Sequence, residues 1–168
     1  MGDVSVDRGA TAKIGQVEGD LRVGQAARIE PEDKVIHVTG RVSCDGDAEF
    51  HGSLSCSEFS ARHGKIRIEG DLVAKSEVRV DDGQLAIDGS LEAATVTVDK
   101  ALRIGGNARA DDFDVGGVLE VRGTISGKKV DVGGSFKVQG TAEVEEVDVG
   151  GTVDIASIVK FEIGRAHV

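Results

Sequence analysis

A 17-residue repeat in the second half of the chain limits the possible folds more than any other feature of the sequence. From Gln84 onward the sequence divides without gaps into four segments: 84–100, 101–117, 118–134 and 135–151. Positions thirteen and fifteen of every segment are apolar, and position six is always glycine, as Gly89, Gly106, Gly123 and Gly140. A repeat of this length indicates a solenoid, in which each segment forms one structural unit.

Within each segment the apolar residues are spaced by two. In segment 118–134, Leu119 and Val121 form the first such pair, Ile125 and Gly127 the second, and Val130 and Val132 the third. A spacing of two places both residues on one face of an extended strand, so each segment predicts three short strands and no helix. Ile125, Val130 and Val132 are expected to face the interior. The glycine pairs that close the segments, such as Gly133–Gly134, predict turns with positive φ.

Three strands with one inward face each close into a triangular coil, and successive coils stack as parallel sheets. The sequence therefore predicts an all-β, three-sided parallel β-helix with about 17–19 residues per coil. The outward positions give independent support, because stacked charges should alternate in sign. Position three does alternate, as Arg103, Glu120, Lys137 and Asp154, and so do positions eleven and twelve, as Asp111–Asp112, Lys128–Lys129 and Glu145–Glu146.

The handedness and the boundaries follow from the same pattern. Parallel crossovers favour a right-handed coil, although left-handed hexapeptide helices have a similar coil length. Residues 1–14 are expected to be a short, partly frayed N-terminal segment, and residues 15–161 to form the β-helix in roughly eight to nine coils. Residues 35–46 supply only two sides of a coil, which predicts an irregularity. The tail 162–168 reads EIGRAHV and resembles a translated sequencing adapter, so we expect the native chain to continue.

Composition excludes several classes of protein. No apolar run approaches the ~20 residues that a spanning helix needs. The formal net charge of -10 over 168 residues argues against nucleic-acid binding. No N-terminal segment resembles a signal peptide, so we expect a cytoplasmic location. The sequence has neither Trp nor Tyr, which disfavours a sugar-binding cleft.

The residues that could carry chemistry do not converge in the predicted register. His37, His51 and His63 are expected to point outward on different edges, whereas Cys44 and Cys56 point inward, so no metal site and no cofactor are expected. A Cys44–Cys56 disulfide is geometrically allowed if their two strands stack. Asp114, Asp131 and Asp148 form a like-charged column that should raise pKa values or recruit a cation. We therefore predict no catalytic residues.

Over residues 15–160 the chain resembles the bactofilins, polymer-forming cytoskeletal proteins of bacteria and some archaea. The resemblance lies in the Val- and Gly-rich coils and in the G-D-L or G-S-L strand starts Gly19–Leu21, Gly70–Leu72 and Gly89–Leu91. It implies a right-handed β-helix that polymerises end to end into filaments without nucleotide, often near the membrane.

The expected function is a non-enzymatic, self-assembling scaffold whose partner is itself, with membrane-associated proteins as further candidates and no small-molecule substrate. The residues expected to mediate self-association are those of the first looser coil, Val17, Leu21 and Val23. One alternative is a passive β-helix module of a larger protein. Another is a carbohydrate-binding or adhesive β-helix, which fits less well because exposed aromatic residues are lacking.

Overall fold

The structure is a computed structural model that describes the backbone of residues 2–166 and the side chains of residues 2–157. Within this part of the chain every regular element is a β-strand. In chain order the strands are β1 (Val4–Val6), β2 (Thr11–Ile14), β3 (Gln16–Val17), β4 (Leu21–Val23), β5 (Ala27–Pro31), β6 (Val35–Val38), β7 (Arg41–Asp45), β8 (Ala48–Phe50), β9 (Ser53–Cys56), β10 (Glu58–Ile68), β11 (Leu72–Ala74), β12 (Glu77–Ile87), β13 (Leu91–Glu92), β14 (Thr95–Val98), β15 (Ala101–Ile104), β16 (Ala108–Arg109), β17 (Asp112–Val115), β18 (Val118–Val121), β19 (Ile125–Val132), β20 (Ser135–Val149) and β21 (Thr152–Ala166).

All strand pairs are parallel and connect one coil to the next, which confirms the predicted solenoid. The coils stack into three faces. Face I begins with β1, β4 and β7, face II with β2, β5 and β8, and face III with β3, β6 and β9. The longer strands β10, β12, β19, β20 and β21 turn a corner without interruption and contribute to more than one face. The chain completes about nine coils, which we number 1 to 9 from the N-terminus.

The coil length is constant in the second half of the chain and variable in the first. From Gln84, which pairs with Ala101, each residue lies beside its equivalent 17 positions later. Between β10 and β12 the offset is 19, because Phe59 pairs with Val78. Between coils 2 and 3 it is 21, because Leu21 pairs with Val42. The predicted range of coil lengths therefore holds except at this one coil.

The irregularity predicted at residues 35–46 is not a missing side. Ala27 and Ile29 in β5 supply face II of coil 2, and the chain then continues to face III at Val35–Val38. The extra length lies in the exposed residues 32–34 between β5 and β6. This insertion shifts the phase of every earlier residue, so periodicity counted back from residue 84 assigned the two sides to the wrong coil.

The two ends of the chain also differ from the sequence-based boundaries. Val4–Val6 and Thr11–Ile14 already belong to the solenoid, because they pair with Leu21–Val23 and with residues 28–31. At the other end, β21 keeps the offset of 17 through Ile155 and then slips by one residue at several points. In the predicted tail, Glu162 and Ile163 pair at the slipped offset and Arg165 and Ala166 again at 17, whereas His167 and Val168 lie outside the described residues.

The interior is apolar, and its few aromatic rings are accommodated by small neighbours. Among the described side chains no polar or charged residue is buried. Phe50 and Phe59 meet edge to face with ring centroids 6.2 Å apart, and each has an alanine, Ala48 or Ala61, as the other inward residue of its strand. Pairing a large side chain with a small one keeps the cross-section of the coil constant.

The glycine pairs at the corners are required by a close approach and not by backbone dihedrals. Neither residue of Gly133–Gly134 has positive φ, contrary to the expectation. A β-carbon placed on Gly134 would overlap the carbonyl oxygen of Gly117 in the coil below. Positive φ occurs instead in the earlier corners between faces I and II. The non-glycine residues that adopt it there are Ala26, His63 and Asp82.

A ladder of side-chain hydrogen bonds follows the corner between faces II and III. The side-chain oxygen of Ser53 accepts from the backbone N–H of Asp71, and Asp71 accepts in the same way from Ser90. Ser90 and Asn107 continue the series to the backbone N–H of Thr124, at distances of 2.9–3.1 Å. Each short polar residue follows the position-six glycine or its equivalent, and it satisfies a corner N–H that the sheets leave unpaired.

The structure confirms the stacking of the charged columns. Arg103 pairs with Glu120, Glu120 with Lys137, and Lys137 with Asp154. Asp112, Lys129 and Glu146 stack in the same manner. The predicted register is therefore correct for both the inward and the outward positions of the 17-residue coils.

Replacing Val132 with Asp tests the inward register. Val132 is fully buried on face I, so the variant places an unpaired carboxylate in the core and should lower the free energy of unfolding by at least about 3 kcal/mol. Val118, a half-exposed outward residue of β18, provides the control, because Val118→Asp should change stability much less. Equal thermal unfolding of the two variants would contradict the register.

Reversing Lys128 and Lys129 to Glu tests the outward register. The double variant stacks three acidic rungs in succession and should cost about 1 kcal/mol or more at low salt. The loss should shrink as salt rises, because exposed charges are screened beyond ~10 Å at 0.1 M. Denaturant unfolding at two salt concentrations measures this loss of stability. The control is the double variant Lys128→Arg and Lys129→Arg, which keeps a positive charge at both positions. A loss that does not depend on salt would show that these residues are not stacked on the neighbouring charges.

Candidate functional site: the edge of the first coil

The outer edge of coil 1 is the candidate site for self-association. Its three strands, β1, β2 and β3, each pair with one strand of coil 2, and no other strand within residues 2–166 pairs with them. An unpaired strand edge is a template for the addition of another strand. Coil 1 presents three such edges, one on each face, in a triangular arrangement.

The free backbone groups of this edge belong to the outward-facing residues. Val4 donates its N–H to the carbonyl of Asp20, and the carbonyl of Val6 accepts from Gly24. Because alternate residues of a strand in a parallel sheet bond to opposite neighbours, the N–H and C=O of Ser5 point to the open edge. The same alternation turns the backbone groups of the remaining outward residues of the coil to that edge, namely Thr11, Lys13 and Gln16.

Apolar side chains lie directly behind the open edge. Val6 is buried but retains 7% exposure, whereas its equivalents in the next two coils, Val23 and Cys44, retain 2% and 4%; Ile14 retains 8%. Val4 and Ala12 are only partly buried and pack against the same core. A second chain that continued the three ladders would cover these four side chains and pair the free backbone groups at the same time.

The residues predicted for self-association lie mostly one coil further in. Leu21 and Val23 belong to coil 2, and β1 pairs along their outer edge. Val17 does belong to coil 1, but its side chain is fully buried. A charged substitution at Leu21 would therefore act on the core and not selectively on the edge.

The edge residues Val4, Val6 and Ile14 were missed for an identifiable reason. Their signal is the alternation in the strand fragment VSV and in TAKI, which is too short to establish a strand alone. The insertion between β5 and β6 hides the 17-residue relation of this segment to the regular coils. The spacing of 17 between Val4 and Leu21 becomes visible only in the pairing of β1 with β4.

The histidines and cysteines occupy separate places in the solenoid. His37 lies exposed on face III, His51 on face II beside Glu69 at 3.2 Å, and His63 at a corner, 3.1 Å from Asp82. Cys44 and Cys56 are free and buried on faces I and III of the same coil, so their strands do not stack. Burial raises the pKa of the Cys56 thiol to about 12 and also raises that of Cys44, which keeps both thiols protonated.

The acidic column on face I is present as predicted. Asp114, Asp131 and Asp148 pair in register, one carboxylate above the next. Partial burial, together with the charges of Asp114 and Asp148, raises the pKa of Asp131. Among residues 2–157, whose side chains the structure describes, no group of three or more His, Cys, Asp or Glu has the arrangement of a metal site.

A second electrostatic cluster occupies the corner near coil 5. The carboxylate of Asp82 contacts Nζ of Lys100 at 2.9 Å and Nδ1 of His63 at 3.1 Å. Hydrogen bonds from Lys100 and His63 lower the pKa of Asp82. These residues come from three successive coils, so the cluster ties together the corners at which His63 and Asp82 adopt positive φ.

Comparison with known proteins gives no relative. No family model, no curated protein and no solved structure matches this chain. Among the described residues there is no helix of the length and apolarity needed to cross a membrane.

Replacing Asp131 with Asn should stabilise the protein at neutral pH. Because the pKa of Asp131 is raised in the folded state, its charged form opposes folding above that pKa, and the penalty disappears as the pH falls below the unfolded value. We expect a gain of a few tenths to about 1 kcal/mol at pH 7 that vanishes near pH 3. Thermal melts at both pH values measure this gain.

Asp45→Asn is the matched control for this pH dependence. Asp45 lies on the same face but pairs in register with Arg62, so its neutralisation removes an attraction and should not stabilise the fold. A gain at Asp131 that persisted at pH 3 would show that the carboxylate charge is not the cause.

Proposed function

We propose that this chain is a structural protein that polymerises end to end into a filament, without catalytic activity and without a bound cofactor. The observation that carries the proposal is the outer edge of coil 1, where three open strand edges surround a partly exposed apolar core. This is the role implied by the resemblance to bactofilins, with the chain itself as the main partner and the cytoplasm as the location.

The geometry of the solenoid favours growth along its axis. In every inner coil, the backbone of the inward residues bonds to the next coil and that of the outward residues to the previous one. A chain arriving at coil 1 would continue this pattern with Ser5, Thr11 and Gln16. Because the coils are held together by hydrogen bonds and apolar contacts alone, such growth needs neither nucleotide nor metal ion.

The experiment compares Ser5→Pro with Ser5→Ala. Proline removes the N–H that points to the open edge and leaves the bonds of Val4 and Val6 to coil 2 in place, whereas alanine keeps that N–H. We expect the unmodified chain and Ser5→Ala to sediment as filaments visible by negative-stain microscopy. Ser5→Pro should remain in the supernatant as folded protein that forms no filaments, with a melting temperature within a few degrees of the others.

The protein for this experiment carries no tag at its N-terminus, because a tag there would lie beside β1. Monodisperse unmodified protein across concentration and salt would overturn the proposal and favour a passive β-helix module. Filament formation by Ser5→Pro to the same extent as by Ser5→Ala would show that the edge of coil 1 is not the contact.

A further inference from the structure

We infer that face II is a lateral interface through which two copies of this chain pair with their solenoid axes antiparallel. Eight coils of face II take part, from β5 in coil 2 to the start of β21 in coil 9. The central outward residue of each coil forms a column whose charges alternate except at Ala86. From coil 2 to coil 9 this column reads Arg28, Glu49, Arg67, Ala86, Arg103, Glu120, Lys137 and Asp154.

The column is complementary to itself when one copy is reversed. A two-fold axis parallel to the strands and midway between coils 5 and 6 places coil 2 opposite coil 9, and coil 5 opposite coil 6. Across this axis Arg28 faces Asp154, Glu49 faces Lys137, and Arg67 faces Glu120, each pair occurring twice. This alignment pairs opposite charges at more coils than any other, and sliding one copy by a single coil would place like charges opposite each other.

The flanking outward rows agree with the same axis. Because the rotation preserves strand direction, each row faces itself. On one side Glu69 faces Arg122, and His51 faces Gln139. The remaining pairs place a charge opposite a neutral residue or two neutral residues together. Among the outward residues of coils 2 to 9 on this face, no two charges of like sign lie directly opposite each other across the axis. The other pairs are Ala26 with Thr152, Asp47 with Ser135, Lys65 with Val118, Gln84 with Ala101, Glu30 with Ala156, and Asp88 with Gly105.

At Ala86, where the charge alternation is interrupted, the two copies are complementary in shape. Arg103, whose side chain is 64% exposed, stands as a ridge between two hollows. The larger hollow has a volume of about 540 Å³ and includes Ala86 and Ala101 in its wall, and the smaller one, about 240 Å³, includes Gly105. In the reversed copy Arg103 lies opposite Ala86, so each arginine would enter the hollow of its partner.

The size of the face is sufficient for a specific, salt-sensitive contact. Eight strands about 4.8 Å apart and five residues at ~3.3 Å per residue give about 600 Å² per copy, or about 1,200 Å² in total. That area is at the lower end of stable protein interfaces. Face I could not pair in this way, because about the equivalent axis Arg41 would face Lys129 and Glu58 would face Asp112.

Cysteine cross-linking tests the register. His51 and Gln139 lie on one chain about five coils apart, too far for an internal disulfide, but they face each other across the proposed axis. The His51→Cys/Gln139→Cys variant should form a disulfide-linked dimer under a mild oxidant, while the buried Cys44 and Cys56 stay unreactive. The control His51→Cys/Ser135→Cys moves the second thiol to the other end of the same strand segment and should cross-link at least about tenfold less. Equal yields, or no dimer from the first variant, would overturn the inference.

Exchanging the ridge and the hollow tests the fit. Ala86→Arg alone opposes two arginines across the axis and should weaken self-association at least about tenfold at low salt. The double variant Ala86→Arg/Arg103→Ala moves the ridge to coil 5 and the hollow to coil 6, so the two-fold arrangement is restored. Association of the double variant should return to within about threefold of the unmodified chain, as measured by sedimentation equilibrium with a thermal melt of each variant. A folded double variant that remains as weak as Ala86→Arg would contradict the pairing.

Lateral pairing is independent of growth at the edge of coil 1. Ser5→Pro should leave the cross-linking of positions 51 and 139 unchanged. If the unmodified chain forms no filaments but the cross-linked dimer appears, the proposed filament function fails and the lateral interface stands. Filaments that show no cross-link give the opposite result.

Discussion

The ladder of backbone hydrogen bonds between equivalent residues of successive coils determines every other feature of this protein. Once a residue is bound to its equivalent one coil later, inward residues must stack on inward residues and outward residues on outward ones. The core therefore becomes three apolar columns, and the surface becomes columns of like position. Like charges in such a column repel, which explains why Arg103, Glu120 and Lys137 alternate in sign. Corners such as Gly133–Gly134 have no room for a Cβ, because the backbone of the coil below lies too close.

In the proposed assembly the surfaces of the solenoid have separate roles. The edge of coil 1 presents backbone groups and apolar side chains, which favour continuation of the solenoid along its axis. Face I would place like charges opposite each other in the antiparallel arrangement, for example Arg41 opposite Lys129. Face II is balanced in charge and bears hollows beside Arg103. One regular fold can thus distinguish axial growth from lateral contact by the composition of its outward columns alone.

The sequence was sufficient to predict the fold class, the coil length and the register from residue 84 onward, because the apolar and charged columns repeat there with constant period. It was insufficient before that point for a physical reason. The residues inserted between Pro31 and Val35 are exposed and carry no periodic signal, so the phase of coil 1 could not be counted through them. As a result Leu21 and Val23 were assigned to the end coil, although β1 covers them. The corner ladder through Ser53, Asp71 and Ser90 has a sequence signal, a short polar residue after a glycine, but its hydrogen bonds become evident only when the coils are stacked.

The narrowness of face III has a mechanical consequence for any filament built from this chain. The inter-coil hydrogen bonds are aligned with the solenoid axis. A force along that axis is therefore shared by the three faces at each coil interface, while every interface along the rod bears the same total force. The interface with the fewest bonds then sets the tensile limit. Face III is narrow at several levels, with two paired positions between β3 and β6, β11 and β13, β13 and β16, and β16 and β19. Over the three faces together, the interfaces between coils 1 and 2 and between coils 2 and 3 have the fewest paired positions of any two complete coils, nine each. Under tension the rod should therefore part within its first three coils, while the better-bonded coils beyond them stay intact.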